Sequence, residues 1–233
     1  MCTKTRFAAL AIAALACCAW GLAATQIVRG GENRGQQLQQ RQADTRQAEP
    51  QPITLNGKGR QASQKFQLEP GLCLIDFNHD GTSNLIVRVL DMDGKELDTV
   101  FNQIGAFNAR RGLFIPKGGE YLLDVVADGN WSANLRQPRP TTGQTLPAKL
   151  QGKGFTTTDF IQLDKGLTVF KMNHEGENRF RVTLLDREGK PIKDLINTLG
   201  NFSGSKPVRI EKSGIYFLNV SADGDWTIDV NNP

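Results

Sequence analysis

Cysteine and histidine are scarce in this chain of 233 residues, which has four cysteines and two histidines. Three of the cysteines, Cys2, Cys17 and Cys18, lie close to the first residue. Only Cys73 lies farther along, within the apolar run Leu72–Ile75, so we expect no internal disulfide there and interpret Cys73 as a small buried residue. One thiol and two imidazoles are also few side chains from which to form a zinc site or a catalytic site with a cysteine nucleophile.

Known sequence motifs of catalytic, zinc-binding and phosphate-binding sites are missing as well. There is no His-Glu-x-x-His, no cysteine pair at zinc spacing, no Gly-x-Ser-x-Gly elbow and no phosphate-binding glycine loop. Acidic residues are numerous, but no pair is marked out as the two carboxylates of a glycosidase. We therefore expect that the protein is not an enzyme and that it uses no cofactor and no metal.

The charge is nearly balanced along most of the chain. The net charge is +4. Residues 57–138 contain nine basic and ten acidic side chains, and residues 152–233 contain eleven of each. No basic stripe interleaved with aromatic residues is found, so nucleic-acid binding is not expected.

The start of the sequence has the pattern of an export signal. Lys4 and Arg6 precede the uncharged apolar segment Phe7–Ala24, which ends in small residues. We predict a signal peptide over residues 1–24 and export to the periplasm or the cell surface. Two alternatives stay open, an uncleaved anchor helix and lipidation of Cys17 or Cys18.

A polar segment rich in Gln and Arg follows, over residues 25–51. It has almost no large apolar side chains, so burial cannot offset the conformational entropy that ordering would cost. We predict a flexible tether.

The rest of the sequence is an internal duplication. A shift of 95 residues aligns residues 52–138 with residues 147–233 without a gap, and 31 of the 87 aligned pairs are identical. The stretch 139–146 between the two copies is rich in Pro, Thr and Gly, which is typical of a linker. The duplication predicts two tandem domains of the same fold.

Alternation within the two copies predicts strands. The shared apolar identities fall on every second position, and on one strand they are Tyr121/Tyr216, Leu123/Leu218, Val125/Val220 and Ala127/Ala222. A period of two marks one buried face and one freer face, the latter with Leu122/Phe217 and Asp124/Asn219. Short strands at intervals of about ten residues, without an amphipathic helix, predict an all-β protein with two antiparallel β-sandwiches of jelly-roll type.

Acidic residues and glycines interrupt the strands and predict hairpin turns at 91–94 and 186–189, and again at 128–130 and 223–225. The Asp-x-Asp-Gly pattern that starts at Asp91 also begins many calcium loops. However, Asn102 stands where such a loop needs a bidentate Glu, and Asn197 does so in the second copy. Turns are therefore favoured, and weak calcium binding at Asp91 and Asp186 stays open.

The segment Gly119–Trp131 resembles the closing segment of small β-sandwich modules of exported bacterial proteins. Pre-peptidase C-terminal domains and related carbohydrate-binding-like modules have similar Gly-x-Tyr-x-Leu-x-Val endings. The resemblance implies an accessory module without catalysis that binds a surface, a glycan or a partner protein. Trp131 and Trp226 begin the last strand of each copy and are predicted to be core residues.

Four polar residues recur at equivalent positions and could contact a ligand. Each histidine has one adjacent carboxylate, Asp80 or Glu175, which is too few ligands for zinc. The alternative for all four is a polar contact within their own turn. We expect a glycan or an envelope protein as the partner, with a structural role in the cell envelope or in a secreted complex as the alternative function. The candidate ligand-binding residues are His79, His174, Asn102 and Asn197.

Overall fold

The computed structural model describes residues 49–233. The predicted signal peptide, with Cys17 and Cys18, and residues 25–48 of the predicted tether lie outside the described residues. Residues 49–233 form eighteen β-strands. No helix in this part of the chain has the length and apolar character needed to cross a membrane. The prediction of an all-β fold is confirmed.

Repeat 1 (residues 52–138) and repeat 2 (residues 147–233) contain nine strands each. Those of repeat 1 are β1 (Ile53–Lys58), β2 (Gln61–Ala62), β3 (Phe66–Leu68), β4 (Gly71–His79), β5 (Asn84–Asp91), β6 (Glu96–Ile104), β7 (Phe107–Ile115), β8 (Gly119–Val126) and β9 (Asn130–Arg136). Those of repeat 2 are β10 (Ala148–Lys153), β11 (Thr156–Thr157), β12 (Ile161–Leu163), β13 (Gly166–Glu175), β14 (Arg179–Asp186), β15 (Pro191–Leu199), β16 (Phe202–Ile210), β17 (Gly214–Ser221) and β18 (Asp225–Asn231).

Each repeat is a sandwich of two antiparallel sheets. In repeat 1, sheet 1a has the strand order β1-β9-β4-β7. Sheet 1b has the order β2-β8-β5-β6, and β3 also pairs with β8. In repeat 2, sheet 2a has the strand order β10-β18-β13-β16. Sheet 2b has the order β11-β17-β14-β15, and β12 also pairs with β17. Most consecutive strands therefore cross from one sheet to the other. This order is that of a jelly roll, as predicted.

The inward side chains of the two sheets fill each core. On β8, Tyr121, Leu123 and Val125 are buried, as the alternation predicted. Trp131 and Trp226 are 3% and 2% exposed, which confirms them as core residues. Burial of such rings contributes a large share of the apolar area that stabilises a small domain.

A Gly-Lys-Gly motif stands at residues 57–59 and again at 152–154, and the tryptophan of each repeat explains its glycines. A Cβ on Gly57 would overlap the indole ring of Trp131, so the strand approaches the ring closely only because this residue is glycine. The indole Nε1 donates a hydrogen bond to the carbonyl oxygen of Gly59 at 3.2 Å. Gly59 has a φ of 65°, a left-handed conformation that glycine adopts without strain. The same contacts recur in repeat 2.

Two of the four predicted hairpins are hairpins and two are not. The turns at 91–94 and 186–189 join β5 to β6 and β14 to β15, which pair with each other. The turns at 128–130 and 223–225 join strands of opposite sheets, β8 to β9 and β17 to β18. The hairpin prediction was wrong there because turn residues indicate a reversal of the chain without indicating which sheet receives the next strand.

The freer strand face predicted from the repeat comparison is half-buried at Asp124 and at Asn219, and the two repeats differ at one position of it. Leu122 is half-buried, whereas Phe217 at the equivalent position is fully buried. The reason is that the outer face of sheet 2b is covered by repeat 1. In the same way, every residue of the run Leu72–Ile75 is buried, Cys73 included, because β4 has its own core on one face and repeat 2 on the other.

We predict that Gly57→Ala lowers the free energy of unfolding by about 1–3 kcal/mol, because the new Cβ must displace a rigid indole ring or the strand beneath it. Gly119→Ala is the matched control, since Gly119 also lies on a strand and a Cβ there would meet nothing within 4 Å. Urea unfolding followed by tryptophan fluorescence measures both. Equal midpoints for the two variants would contradict this explanation.

Candidate functional site

Each histidine is buried at an end of its sandwich where sheet-crossing turns meet. His79 is the last residue of β4 and is 1% exposed. Its Nδ1 lies 3.1 Å from the carbonyl oxygen of Gly105, in the turn that leads from β6 to β7. Because a carbonyl oxygen only accepts hydrogen bonds, this contact requires the ring hydrogen on Nδ1. His79 therefore holds a turn that is distant in the sequence.

A carboxylate from another crossing turn faces the same ring. The Oδ1 of Asp128 lies 3.3 Å from the Nε2 of His79. The Oδ2 of Asp128 accepts hydrogen bonds from the backbone N–H groups of Thr82 at 3.0 Å and Ser83 at 2.9 Å. These bonds, that of Thr82 foremost, hold the pKa of Asp128 below its usual value. A Cβ on Gly81 would overlap both His79 and Asp128, so glycine is required beside the pair.

Repeat 2 contains the same arrangement. The Nδ1 of His174 lies 2.9 Å from the carbonyl oxygen of Gly200, and its Nε2 lies 3.3 Å from the Oδ1 of Asp223. Burial would raise the pKa of Asp223, but hydrogen bonds from the backbone N–H groups of Asn178 and Glu177 outweigh it and hold the pKa below its usual value. The structure thus gives both histidines the same structural contact.

The other predicted site residues lie apart from these rings. Asp80, the sequence neighbour of His79, accepts hydrogen bonds from Asn130 instead of facing the imidazole. Asn102 and Asn197 are exposed and lie on β6 and β15. The structure does not bring the two histidines and the two asparagines together around one cavity. A ligand-binding role for these four residues stays a prediction.

The acids of the two hairpins form the turns themselves. The Oδ1 of Asp91 accepts hydrogen bonds from the backbone N–H groups of Asp93 at 3.0 Å and Lys95 at 2.9 Å. Asp186 makes the equivalent two bonds. This is the Asx-turn geometry in which an Asp side chain completes a tight turn.

A small hydrogen-bond network joins the two repeats at the β7 edge of sheet 1a. The N–H of Gly112 donates to the Oγ1 of Thr157 at 2.8 Å and to the Oδ1 of Asn219 at 3.0 Å. The carbonyl oxygen of Gly112 accepts from the Nδ2 of Asn219 at 2.8 Å. Because β7 is an edge strand, these groups have no strand partner on that side. Two side chains of repeat 2 supply the missing partners.

An apolar cluster adjoins this network. A Cβ on Gly112 would come within 2.6 Å of the Phe217 ring, so the close approach depends on the missing side chain. The β14–β15 hairpin also lies against repeat 1, since a Cβ on Gly189 would come 3.0 Å from the carbonyl oxygen of Leu113. Residues 49–233 accordingly form one compact unit. The buried members of the cluster are Leu72, Leu74, Leu185 and Phe217.

Beside this joint lies a cleft of about 510 Å³ whose walls come from both repeats. Its volume is within the range of about 300–1,000 Å³ that is typical of small-molecule sites. Repeat 1 contributes Asp98 and Arg111, and repeat 2 contributes Arg181 and Asp194. We take this cleft, called the joint cleft below, as the candidate functional site.

The repeat 1 wall carries a loosely held ion pair. The Nη2 of Arg111 lies 3.3 Å from the Oδ2 of Asp98, and the two side chains are 31% and 32% exposed. Burial raises the pKa of Asp98 above its usual value, and the nearby guanidinium of Arg111 only partly opposes this. The Nε of Arg111 is buried and has no hydrogen-bond partner within residues 49–233. This wall therefore has unused hydrogen-bonding capacity.

The repeat 2 wall carries a tightly held ion pair. The Nη2 of Arg181 donates to both carboxylate oxygens of Asp194, at 3.2 Å and 2.9 Å. The hydroxyl of Thr183 donates to the same carboxylate at 2.7 Å. Burial would raise the pKa of Asp194, but the hydrogen bonds and charge of Arg181, together with Thr183, hold it below its usual value. Asp194 is thus an ionised acceptor at neutral pH.

The joint cleft was not predicted, because a comparison of the repeats indicates only the polar residues that both of them share. Its polar residues stand at positions where the repeats differ. A signal was nevertheless present at three of the four positions, since a charge that is absent or reversed in the other copy of a predicted strand indicates a surface that only one copy uses. These pairs are Asp98/Lys193, Ile86/Arg181 and Thr99/Asp194, whereas Arg111/Lys206 keeps the positive charge.

Comparisons with known proteins identify no family. No protein-family model matches the chain, and a search of curated proteins finds no match. Among solved structures, the chain is similar to a tandem of CBM22 domains from Paenibacillus barcinonensis Xyn10C, with 10% identity, a TM-score of 0.26, and coverage of 76% of this chain and 86% of the other.

Two further solved structures are similar at the same low identity. One contains the M60 catalytic domain with two CBM51 domains of Clostridium perfringens ZmpB, with 10% identity, a TM-score of 0.25, and coverage of 76% of this chain and 34% of that one. The other is a fucolectin from striped bass (Morone saxatilis), with 10% identity, a TM-score of 0.22, and coverage of 76% and 83%. At these values none of the three carries an argument about what this chain binds.

We predict that Asn219→Asp loosens the joint. The carboxylate cannot donate to the carbonyl oxygen of Gly112, so a polar group at the joint loses its partner at a cost of about 1–3 kcal/mol. Asn173→Asp is the matched control, because the partners of Asn173 are hydroxyl groups that can turn to donate. Urea unfolding and the rate of proteolysis in residues 139–146 measure the effect. Unchanged stability and proteolysis for Asn219→Asp would rule out this role.

We also predict that stability falls in acid because of Asp128 and Asp223. Their pKa values in the folded state lie below 3.8. Ionisation therefore stabilises the fold above the unfolded pKa, and this contribution is lost as the pH falls through the folded pKa. Urea midpoints of the unmodified protein and of Asp128→Asn should differ at neutral pH and converge as the pH falls through the folded pKa of Asp128. A difference that stays constant with pH would contradict the prediction.

Proposed function

We propose that the protein is a non-catalytic, exported binding protein and that the joint cleft holds its ligand. The observation that carries the proposal is that polar side chains from both repeats line one cleft beside a tight joint. Walls that are fixed before binding reduce the ordering cost of association. The signal peptide over residues 1–24, the tether over 25–51, the linker over 139–146 and a destination in the periplasm or at the cell surface are parts of the same proposal.

Within residues 49–233, the side chains most often used in catalysis are buried or held in ion pairs. Cys73 is fully buried, and burial raises the pKa of its thiol to about 12. His79 and His174 are buried at the crossing turns. In the joint cleft, Asp98 and Asp194 each lie against a guanidinium group. These contacts support binding rather than turnover.

A glycan and an envelope protein are the two proposed classes of ligand. Within residues 49–233 no aromatic side chain is exposed, so an open aromatic platform on which sugar rings stack is not the means of recognition. Hydrogen bonds from Arg111 and to Asp98 in the joint cleft are the alternative means. We therefore place the proposed ligand in the cleft rather than on a sheet face.

An assembly role in the envelope or in a secreted complex is the second candidate function. Ile104 and Leu199 occupy equivalent positions at the β6–β7 and β15–β16 crossing turns and are 81% and 74% exposed. Each precedes a glycine whose carbonyl oxygen is held by a buried histidine. A large apolar side chain presented twice on a fixed turn favours contact with a partner protein.

The test of the proposed function is to fill the joint cleft. Ser221 lines the cleft at the end of β17, so Ser221→Trp should reduce binding of the full chain to its ligand at least tenfold. Val126→Trp is the matched control, because Val126 is the equivalent residue at the end of β8, outside the cleft. Retention is measured on immobilised neutral and acidic polysaccharides and on solubilised envelope proteins. Equal retention of both variants would refute ligand binding in the cleft.

The same experiment separates the two candidate functions. An Ile104→Ser/Leu199→Ser variant leaves the joint cleft intact and removes the exposed apolar side chains. Loss of a stoichiometric protein partner in this variant, with full retention of that partner by Ser221→Trp, would favour the assembly role. The reverse pattern is expected from the proposed function.

A further inference from the structure

We infer that the ligand of the joint cleft is a hydroxylated molecule with one anionic group, which in chemical terms is an acidic sugar with a single carboxylate, and that Lys193 binds this carboxylate. The inference rests on the proposed function, since it assumes that the cleft is the binding site. It follows from the net charge of the cleft, from the partners of its charged side chains and from the apolar residues beside Lys193.

The charged side chains that line the cleft do not cancel. The basic ones exceed the acidic ones by one, since they are Arg111, Arg181 and Lys193 against Asp98 and Asp194. Each of the two carboxylates lies against a guanidinium group, at 3.3 Å in the repeat 1 wall and at 2.9 Å in the repeat 2 wall. The lysine is therefore the positive charge that the walls of the cleft leave without a counter-ion.

Lys193 is placed to meet a ligand. It lies on β15 and is exposed, and the lysines that form ion pairs within residues 49–233 are Lys153 and Lys190. Lys190 lies nearby, with its Nζ 4.8 Å from the centre of the Phe114 ring, but Glu188 at 3.1 Å already offsets its charge. An ammonium group has three N–H donors and binds an anion as a compact point charge. Lys193 can therefore bind a carboxylate without the loss of an existing pair.

The single surplus charge limits the charge of the ligand. A carboxylate has a charge of −1, whereas a phosphate monoester has about −1.5 to −2 near neutral pH. A second anionic group would lie in a cleft that also contains the carboxylates of Asp98 and Asp194, and like charges there repel each other. A cationic ligand would meet the uncompensated ammonium group of Lys193. One carboxylate on an otherwise uncharged molecule matches the cleft.

The ion pair of the repeat 2 wall can bind hydroxyl groups while it stays intact. Arg181 uses its Nε and Nη2 for Asp194, so its Nη1 lies outside the pair. The two side chains are 43% and 45% exposed, so a ligand can reach both of them. A hydroxyl group can donate to a carboxylate and accept from a guanidinium group at once. This wall therefore suits a molecule that has hydroxyl groups beside its carboxylate, as a hexuronic acid has.

Apolar side chains lie directly beside the lysine. Ile192 precedes Lys193 in the sequence, is 53% exposed and lines the cleft, and Leu97 and Phe114 line the opposite wall. Covering such apolar surface favours binding. The C–H faces of a sugar ring can cover it, whereas a hydrated inorganic anion on Lys193 would leave it in contact with water. The ligand thus needs an organic body as well as an anionic group.

The test measures the binding of three oligosaccharides of equal length to the full chain by calorimetry. One is uncharged, one ends in a single hexuronic acid, and one consists of hexuronic acids throughout. We expect the oligomer with one carboxylate to bind about tenfold more tightly than the uncharged one, and the fully acidic oligomer to bind no more tightly than that. High salt should weaken the binding of the oligomer with one carboxylate, because Lys193 is exposed and its charge is screened.

Lys193→Gln tests the assigned contact. The variant keeps a polar side chain and removes the charge, and we expect about tenfold weaker binding of the oligomer with one carboxylate and unchanged binding of the uncharged one. Lys193→Arg, which keeps the charge, should retain most of the affinity. Lys171→Gln is the matched control, because Lys171 is also an exposed lysine on a strand of repeat 2 but does not line the cleft. Thermal unfolding of all variants checks that the fold is kept.

The outcomes separate the inference from the proposed function. Equal or tighter binding of the uncharged oligomer, or of a peptide whose only charge is its C-terminal carboxylate, would overturn the acidic sugar and leave the cleft as the binding site if Ser221→Trp abolishes that binding. Loss of binding in Ser221→Trp without any loss in Lys193→Gln would overturn the role of Lys193.

Two further outcomes concern the cleft itself. Binding of the oligomer with one carboxylate that neither Lys193→Gln nor Ser221→Trp changes would overturn both the inference and the proposed function. No binding of any probe would overturn the inference, and unchanged capture of envelope proteins by Ser221→Trp would then overturn the proposed function as well.

Discussion

A buried imidazole joins the sheet-crossing turns at one end of each sandwich, and the strand order depends on it. In a jelly roll the chain passes repeatedly between sheets, so the backbone groups of the crossing turns cannot all pair within a ladder, and buried polar groups need partners. The imidazole and the carboxylate beside it supply these contacts. One glycine allows the close approach of the pair, and a second one, whose carbonyl oxygen faces the ring, has a positive φ. All four residue types are identical in the two copies: His79/His174, Asp128/Asp223, Gly81/Gly176 and Gly105/Gly200.

The joint, unlike the crossing turns, does not repeat between the two copies. It is formed by the β7 edge of sheet 1a and by the outer face of sheet 2b, so each repeat uses a different part of the shared fold. Equivalent residues therefore experience different surroundings, as Phe217 and Leu122 do. The residues that hold the crossing turns are the same in both copies, whereas the polar residues of the joint and of the joint cleft differ. The cleft forms only where the two repeats meet, because each of them supplies one of its walls.

The sequence was sufficient to predict what a single repeat requires. Alternating identities predicted the strands, and the tryptophans and Cys73 are buried as expected. It was insufficient where two distant segments meet. The partner of His79 is Asp128 rather than the adjacent Asp80, because the crossing turns bring these residues together in space. The burial of Phe217 and the meeting of two walls in the joint cleft depend on the contact between repeats, and strand periodicity carries no information about that contact.

The hydrogen bonds of Gly112 have a consequence for the size of the assembly. In repeat 2 the equivalent edge strand, β16, has Pro207 at that position, which lacks the N–H group, and a proline at an edge blocks further strand-like pairing. In repeat 1 the counterpart of Asn219 is Asp124, which has no amide hydrogen to donate. A neighbouring molecule therefore cannot copy the internal contact end to end. This particular contact is therefore confined to one molecule and cannot join molecules in a row.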